Sequence, residues 1–576
     1  MKVRLAGVPG IAALRAYHRS WITSDVVAGL VLTALLVPQG MAYAELAGLP
    51  AITGLYTTIM CLLGYAVAGP SRLLVLGPDS SLGPMIAATI LPLAGADGDP
   101  AKAIALASML SLLVAACMIA AGAAKLGFVA DLFSKPTQVG YMNGLALTIL
   151  VGQLPKLFGF SIDAESFIDE LRQFAHGIAD GKTVGAALAV GLVGLVVIQL
   201  FGRVAPKVPG VLVAVVGAIA ATSLFDLGAH GVSLVGTLPK GFPPLTLPGV
   251  AFRDMGPLVL GAIGITLVAL TDTISTSSAF AARTGQEVDA NQEMIGIGTA
   301  NLAAGLFQGF PVSTSGSRTA VAESAGSKSQ VTGVVGALAI TAMIMFVPGL
   351  MKNLPQPILA AVVISASLSL ADIAATRRLW KQRKTEFAVS MVAFGGVVLL
   401  GVLPGIGLAV VISILNVFRR MWWPYTATLA EVDGLAGYHD QSVYPDGKLP
   451  EGLKIYRFDA PLLFANSRTF RDELRGLADQ EPRPRWIIVA AEPITDVDTT
   501  AADMLEDLDE ELNERGVSIV FAEMKSPVEQ KVHRYELTRT IDPSHFFPTL
   551  DAAVEAYRAL PPAPAPAPAP DSEVDR

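Results

Sequence analysis

The sequence predicts an all-α membrane domain of fourteen transmembrane segments, built as two inverted seven-span repeats and followed by a cytoplasmic α/β domain. Three observations carry that prediction. The 576 residues are 52% hydrophobic and only 16% charged, against roughly 25% charged residues in soluble domains. The charge is uneven: residues 1–420 hold 46 of the 90 Asp, Glu, Lys and Arg, and residues 421–576 hold 44, so an apolar part precedes one of ordinary soluble composition. Finally, two polar, Pro- and Gly-rich interruptions fall at corresponding places in the apolar part.

Residues 1–24 read as a cytoplasmic N-terminus. They carry Lys2, Arg4, Arg15 and Arg19 but no short apolar core followed by a small-residue cleavage site, and the first long apolar run, from Val26, reads as a membrane span. A bilayer-crossing helix needs roughly 20 apolar residues. Within a membrane domain spanning 25–420, runs that meet or approach this lie near 26–44, 51–69, 80–95, 103–124, 136–154, 183–201, 208–225, 256–280, 292–307, 313–326, 331–350, 355–371, 386–403 and 405–418. An even number puts both ends on one side. Basic residues such as Lys135, Lys328, Arg377, Arg378, Lys381, Arg383 and Lys384 fall in loops that are internal if the N-terminus is inside, which predicts cytoplasmic termini in the cell membrane.

The third span (Leu76-Gly-Pro-Asp-Ser-Ser-Leu-Gly-Pro-Met85) and the tenth (Gly309-Phe-Pro-Val-Ser-Thr-Ser-Gly-Ser-Arg-Thr-Ala320) are short and broken. Each is third in its set of seven, and interrupted segments at matching positions of two halves point to a transport site. An odd number of spans per half makes the repeats inverted. Pro and Gly can also merely kink a transmembrane helix, but kinks do not explain a Ser cluster in both segments.

Arg318 lies deep in an apolar region, where a charge costs at least about 2.5 kcal/mol. Helix N-termini present free N–H groups that suit an anion. Two such ends, one at Ser80–Ser81 and one at Ser317–Arg318, are expected to hold a small oxyanion without a metal; the alternative is a static pair of Arg318 with Asp79. Asp79 reads as the N-cap of the third-span half-helix, or as a proton acceptor beside the anion. Asp272, in the eighth span, is protonated, paired with Arg318 or bound to a cation. Thr271, Thr273, Ser275 and Thr276 surround it with oxygens suited to a hard cation, so H⁺ or Na⁺ is the expected coupling ion. Pro38-Gln39-Gly40-Met41-Ala42-Tyr43 interrupts the first span, and Gln39 and Tyr43 either line a pocket or simply pack. Segment 283–293 reads as a loop whose charges cap and solvate. Cys61 and Cys117 read as inert core thiols, which excludes a disulfide framework or a zinc site.

Beyond Trp422-Trp423-Pro424 and a linker over 421–452, alternation predicts strands at Leu453–Phe458, Trp486–Ala491 and Val517–Ala522. Helices are expected at 467–478 and 501–515, giving a β-α-β-α-β order within 453–558. A net charge of −14 over residues 421–576 argues against nucleic acid or an anionic lipid surface as that domain's partner. The Pro/Ala-rich acidic tail, 559–576, reads as disordered. No catalytic triad, P-loop or metal cluster occurs, so an enzyme is not expected.

Over about residues 20–558 the chain resembles the sulfate permease (SulP) family of anion transporters. The matching segments are Val37-Pro-Gln-Gly-Met-Ala-Tyr-Ala44 with Tyr56, Gly77-Pro78, Ala279-Phe280-Ala281, Asp289-Ala-Asn-Gln-Glu293, and Asn301 through Ser317-Arg318-Thr319. The resemblance implies core and gate domains, an anion site between the third and tenth spans, elevator-like motion of the core and a homodimer. It places Gln39, Tyr43, Ser317 and Arg318 on anion-pocket positions and Asp272 on one tied to cation coupling. Asp79 departs from the apolar residue found in many animal members. The C-terminal part resembles the STAS domain attached to such transporters. Asp496-Val-Asp-Thr-Thr500 matches a turn where soluble relatives carry a phosphorylated Ser; Thr500 takes that place, and the alternative is Thr499 or Thr500 as a helix N-cap.

The expectation is a secondary active transporter of a small inorganic anion, with sulfate ahead of bicarbonate and a dicarboxylate third, embedded in membrane lipid. Rivals are a nucleobase-type symporter, an anion channel and a membrane-anchored signalling protein.

Overall fold

The computed structural model describes residues 9–10, 17–95, 99–127, 134–162, 164, 166–205, 208–284 and 289–561. The expected basic N-terminus and the Pro/Ala-rich tail lie largely outside them. The chain divides into two compact units, Met1–Ile414 and Leu415–Arg576.

In the first unit, helices occupy every one of the fourteen expected spans. The first half holds α1 (Ile22–Leu46), α2 (Ala51–Ala68), α3 (Gly83–Ala94), α4 (Pro100–Ala123) and α5 (Lys135–Leu157). After α6 (Phe167–Ala179) come α7 (Gly185–Val204) and α8 (Gly210–Phe225). The second half runs through α9 (Met255–Thr284), α10 (Ala290–Leu306), α11 (Gly316–Ser324), α12 (Val331–Phe346) and α13 (Gln356–Leu370). Then follow α14 (Ile373–Gln382), α15 (Lys384–Leu400) and α16 (Val402–Trp422). Among the described residues, seven helical stretches are long and apolar enough to cross a membrane unaided, and α3, α8 and α12 are shorter apolar helices. Helices α6 and α14 were not expected. Both are short and amphipathic, with a strongly one-sided pattern that a search for long apolar runs passes over.

Helix α1 runs unbroken through Pro38, so that segment does not interrupt the span. Transmembrane helices tolerate such a Pro. Helices α1 and α2 cross at two glycines: a Cβ on Gly54 would stand 1.8 Å from the Gly40 carbonyl oxygen, so no side chain fits there. Segment 283–293 is not merely solvated. Asp289 caps α10 by accepting the Asn291 and Gln292 amides, but Glu293 is fully buried and accepts hydrogen bonds from the hydroxyls of Tyr65 and Ser71. It faces the interior because position 293 falls on the stripe of α10 that packs on α2.

The second unit is a six-stranded sheet in the order β4-β3-β5-β6-β7-β8. The expected strands are β5 (Leu453–Phe458), β6 (Trp486–Ala490) and β7 (Ser518–Ala522), paired in parallel. The stretch expected as a linker instead contributes β3 (Thr426–Glu431) and β4 (Tyr438–Asp440), and β8 (Phe546–Phe547) closes the far edge. Alternation sends Tyr456, Phe458, Ile487 and Val489 to one face against α17 (Ser467–Ala478) and α18 (Thr499–Glu514). It sends Ile455, Trp486 and Ile488 to the other, against α20 (Leu550–Arg558); α19 (Ser526–Arg534) follows β7.

Candidate functional site

The site grows from the two broken spans. Pro78 lacks an amide donor and Gly77 favours no helix, so the chain stays non-helical up to α3, where Pro84 suits the first turn. Gly309 and Pro311 act likewise before α11. The extended stretches satisfy each other: β1 (Leu76–Gly77) pairs antiparallel with β2 (Ser313–Thr314), in the register Leu76↔Thr314 and Gly77↔Ser313. The Ser315 amide donates to the Val75 carbonyl at 3.3 Å, and the Val75 amide to the Thr319 hydroxyl at 3.1 Å. The matching interruptions of the two halves are thus one joint structure. Asn301 braces it, its carboxamide oxygen accepting the Val312 amide at 3.0 Å and its nitrogen donating to the Ile297 and Val312 carbonyls.

Arg318 sits at this junction, 1% exposed. Its guanidinium donates to the carbonyls of Pro78 and Gly77 and lies 3.5 Å from an Asp79 carboxylate oxygen. Its Nε–H is buried without a partner among the described residues. Gly77 makes the approach possible, since a Cβ there would be 2.9 Å from Arg318 Nη1. The side chain therefore lies behind the wall of the neighbouring cavity rather than on it. Arg318 was expected to touch the anion directly; it instead cross-links the two breaks, because carbonyls freed by Pro and Gly are nearer than the cavity.

That cavity, of about 500 Å³, is a polar opening in the membrane unit. Gln39, Tyr43, Asp79, Ser80, Ser317, Asp272 and Thr276 all lie on its wall. Ser81 does not: it is fully buried, its hydroxyl donating to Asp79 at 2.7 Å and lying 3.2 Å from an Asp272 oxygen. Asp79 caps the turn before α3, accepting the Ser81 amide at 3.0 Å, whereas the helix N-cap is Leu82. The α11 cap is Ser315, which accepts the Arg318 amide at 3.5 Å. Asp272 is separate from the guanidinium, whose carboxylate partner is Asp79. Around it, the Thr271 hydroxyl donates to the Leu267 carbonyl and Thr273 accepts from Thr314, leaving Ser275 and Thr276 on the cavity side.

The opposite wall was missed from the sequence. It comes from the start of α5 (Gln138, Met142) and the end of α13 (Ser365, Ser369). Gln138 in α5 and the Ser365/Ser369 pair at i and i+4 in α13, polar residues in otherwise apolar spans, are the signal that would have found it. In the second unit Thr500 is exposed, and neither it nor Thr499 is the N-cap of α18. That role falls to Asp498, which accepts the Ala501 amide at 2.8 Å.

Three comparisons bear on this arrangement. Residues 22–393 match the sulfate permease family and residues 444–553 the STAS domain. A probable sulfate transporter of Mycobacterium tuberculosis is 39% identical, over 96% of this chain and 98% of its own length. Human solute carrier family 26 member 6 is 32% identical, over 79% of this chain and 63% of its own. In structure, the murine Slc26a9 anion transporter in its inward-facing state aligns with a TM-score of 0.88 at 26% identity, covering 97% of this chain and 95% of that one. The transmembrane domain of a cyanobacterial bicarbonate transporter shares the fold at a TM-score of 0.60 and 20% identity, over 69% of this chain and 98% of its own. Transporters, not enzymes, make up this group, and the chain belongs to the sulfate permease family of multi-pass membrane anion transporters, with a C-terminal STAS domain.

Proposed function

We propose that the protein is a secondary active carrier of a small inorganic oxyanion in the cell membrane, with sulfate as first substrate, bicarbonate second and a dicarboxylate third. The observation that carries this reading is the cavity between the half-helix starts and the α5/α13 wall. At about 500 Å³ it has room for an oxyanion and many waters, each of which takes about 30 Å³ of liquid. Amide groups at the start of α11, the hydroxyls of Ser80, Ser317 and Tyr43 and the carboxamide of Gln39 supply donors. Arg318 contributes as a buried positive charge that orients the Gly77–Asp79 turn.

Charge counting supports coupling. One guanidinium faces two carboxylates, Asp79 and Asp272, so the site is net negative when both are ionised and repels an anion. A proton or Na⁺ on Asp272, with Thr276 alongside, removes that repulsion, and binding of cation and anion then reinforce each other as linkage demands. The wall facing the two broken spans takes Gln138 and Met142 from α5, Val211 from α8 and Ser365 and Ser369 from α13, and the reading is of a carrier whose termini are cytoplasmic and whose core moves as an elevator. Dimerisation is part of the reading and rests on the family.

Proteoliposomes tested with labelled sulfate and bicarbonate, under imposed Na⁺ or pH gradients, check it. Accumulation driven by one gradient is expected. Equilibration of either anion without gradient dependence would indicate a channel, and no movement of either would overturn the assignment.

A further inference from the structure

A second cavity of about 360 Å³ lies away from the anion site, between α5, α13, α14 and α15. Its wall is almost wholly apolar, built from Leu147, Leu150, Leu368, Met391 and Phe394 within membrane-spanning helices, and α14 crosses its end with Ile373 and Thr376 on the lining. Thr376 is held there by Asn143, whose amide donates to its hydroxyl at 2.8 Å; Asn143 also accepts the Asp372 amide at 2.7 Å. Helix α14 is therefore fixed over the groove.

The α14 sequence, Ile-Ala-Ala-Thr-Arg-Arg-Leu-Trp-Lys-Gln, puts Ile373, Thr376 and Trp380 on one stripe at i, i+3 and i+7. Ile373 is 75% exposed and Trp380 55%, the indole meeting Phe387 edge-on at 4.8 Å. Arg377, at i+4 from Ile373, and Lys381, at i+4 from Arg377, border that stripe. Both are exposed, and neither has an acidic partner among the described residues. The nearby acids are otherwise engaged: Asp372 caps the helix by accepting the Ala375 amide, and Glu386 pairs with Arg383.

An apolar slot inside the membrane, ending under two unpaired cations and an exposed indole, has the layout of a phospholipid: acyl chain, interface, acidic headgroup. We propose that this groove is a binding site for one anionic phospholipid, its acyl chain in the slot and its phosphate against Arg377 and Lys381. A zwitterionic lipid fits the slot equally but gains less from the cations, so charge complementarity selects the acidic lipid. Arg378 projects about 100° around the helix from Arg377 and serves as an internal control.

The test uses the full chain in phosphatidylcholine vesicles containing brominated phosphatidylglycerol or, at the same mole fraction, brominated phosphatidylcholine. Quenching of Trp380 is the emission difference between the native chain and Trp380→Phe. Phosphatidylglycerol is expected to quench at several-fold lower mole fraction than phosphatidylcholine. Joint replacement Arg377→Gln and Lys381→Gln should abolish that preference, so that the two lipids quench at equal mole fraction, while Arg378→Gln retains it. Ala371→Phe, which fills the slot mouth without changing charge, should weaken quenching by both lipids. Equal quenching by the two lipids in the native chain would overturn the proposal. So would loss of the preference in Arg378→Gln to the same degree as in the double variant, which would reduce it to diffuse surface charge.

Discussion

The two units handle buried charge in opposite ways. In the membrane unit, Arg318 is enclosed with Asp79 and the Gly77 and Pro78 carbonyls, while Asp272 stands beside them on the cavity of about 500 Å³. In the C-terminal unit, ionic contacts stay near the surface. Lys531 meets Asp496 with both partly exposed; the pairing holds Asp496 below the usual carboxylate range and Lys531 above the usual amine range. Among its described residues, the buried acid without a cation is Asp509, on the Leu505–Leu508–Leu512 stripe of α18, where burial raises its pKa to about 6. The difference teaches where function resides. A soluble domain keeps charge where water screens it, whereas a transport unit keeps it inside, at a cost, because a charged solute must be met there.

Breaking the Arg318 junction should have the largest effect. Arg318→Ala strands Asp79 and two carbonyls, a loss of about 3–5 kcal/mol for a buried pair, and is expected to abolish anion uptake while the protein still reaches the membrane. Uptake at the native rate would dismiss the junction. Asp272→Asn comes next: transport should persist but lose its dependence on the driving gradient, and undiminished dependence would remove Asp272 from the coupling role. Gly77→Ala sharpens the comparison, since its Cβ meets Arg318 Nη1 at 2.9 Å. An overpacking cost of about 1–3 kcal/mol is expected to raise the anion KM about tenfold, with normal expression.

In the C-terminal unit the effects are smaller and belong to stability. The pKa of Asp509 is higher folded, about 6, than its unfolded value near 3.9, so the folded unit binds this proton more tightly. Its contribution to stability therefore grows as pH falls from about 7 to about 4, and is lost as pH rises through 6. Asp509→Asn should stabilise residues 423–561 at neutral pH by about 1 kcal/mol, raising their melting temperature, and flatten that dependence; an unchanged pH profile would refute it. Smallest is the start of α18: Asp498→Ala should cost about 1 kcal/mol as a lost cap, and Thr500→Ala less than about 0.5 kcal/mol, in the same melts.

Most of the fold was legible. Fourteen apolar runs announce fourteen helices because a span must satisfy its backbone internally and face lipid, and the period-two strands β5, β6 and β7 announce the sheet. Strands β3 and β4 were not legible, because β3 (Thr-Ala-Thr-Leu-Ala-Glu) has one large apolar residue and β4 is a three-residue edge strand with no fully buried position. Helices α6 and α14 escaped for the related reason that amphipathic helices are neither long nor uniformly apolar. At the site, the residue types and the two breaks could be read, but not which side chains reach the cavity. Ser81 and Arg318 point into the protein, while Gln138 and Ser369, on other spans, face the opening.

By itself the sequence determined that this chain enters a membrane, how many times it crosses, and that its chemistry gathers at two broken spans. Only the tertiary structure decided that the two breaks form one ladder and that Arg318 serves as its cross-link. The physical reason is distance: hydropathy and helix breaking act within about twenty residues of chain. The partners of a buried guanidinium are whichever carbonyls and carboxylates the fold brings within hydrogen-bond reach, here from a segment some 240 residues away.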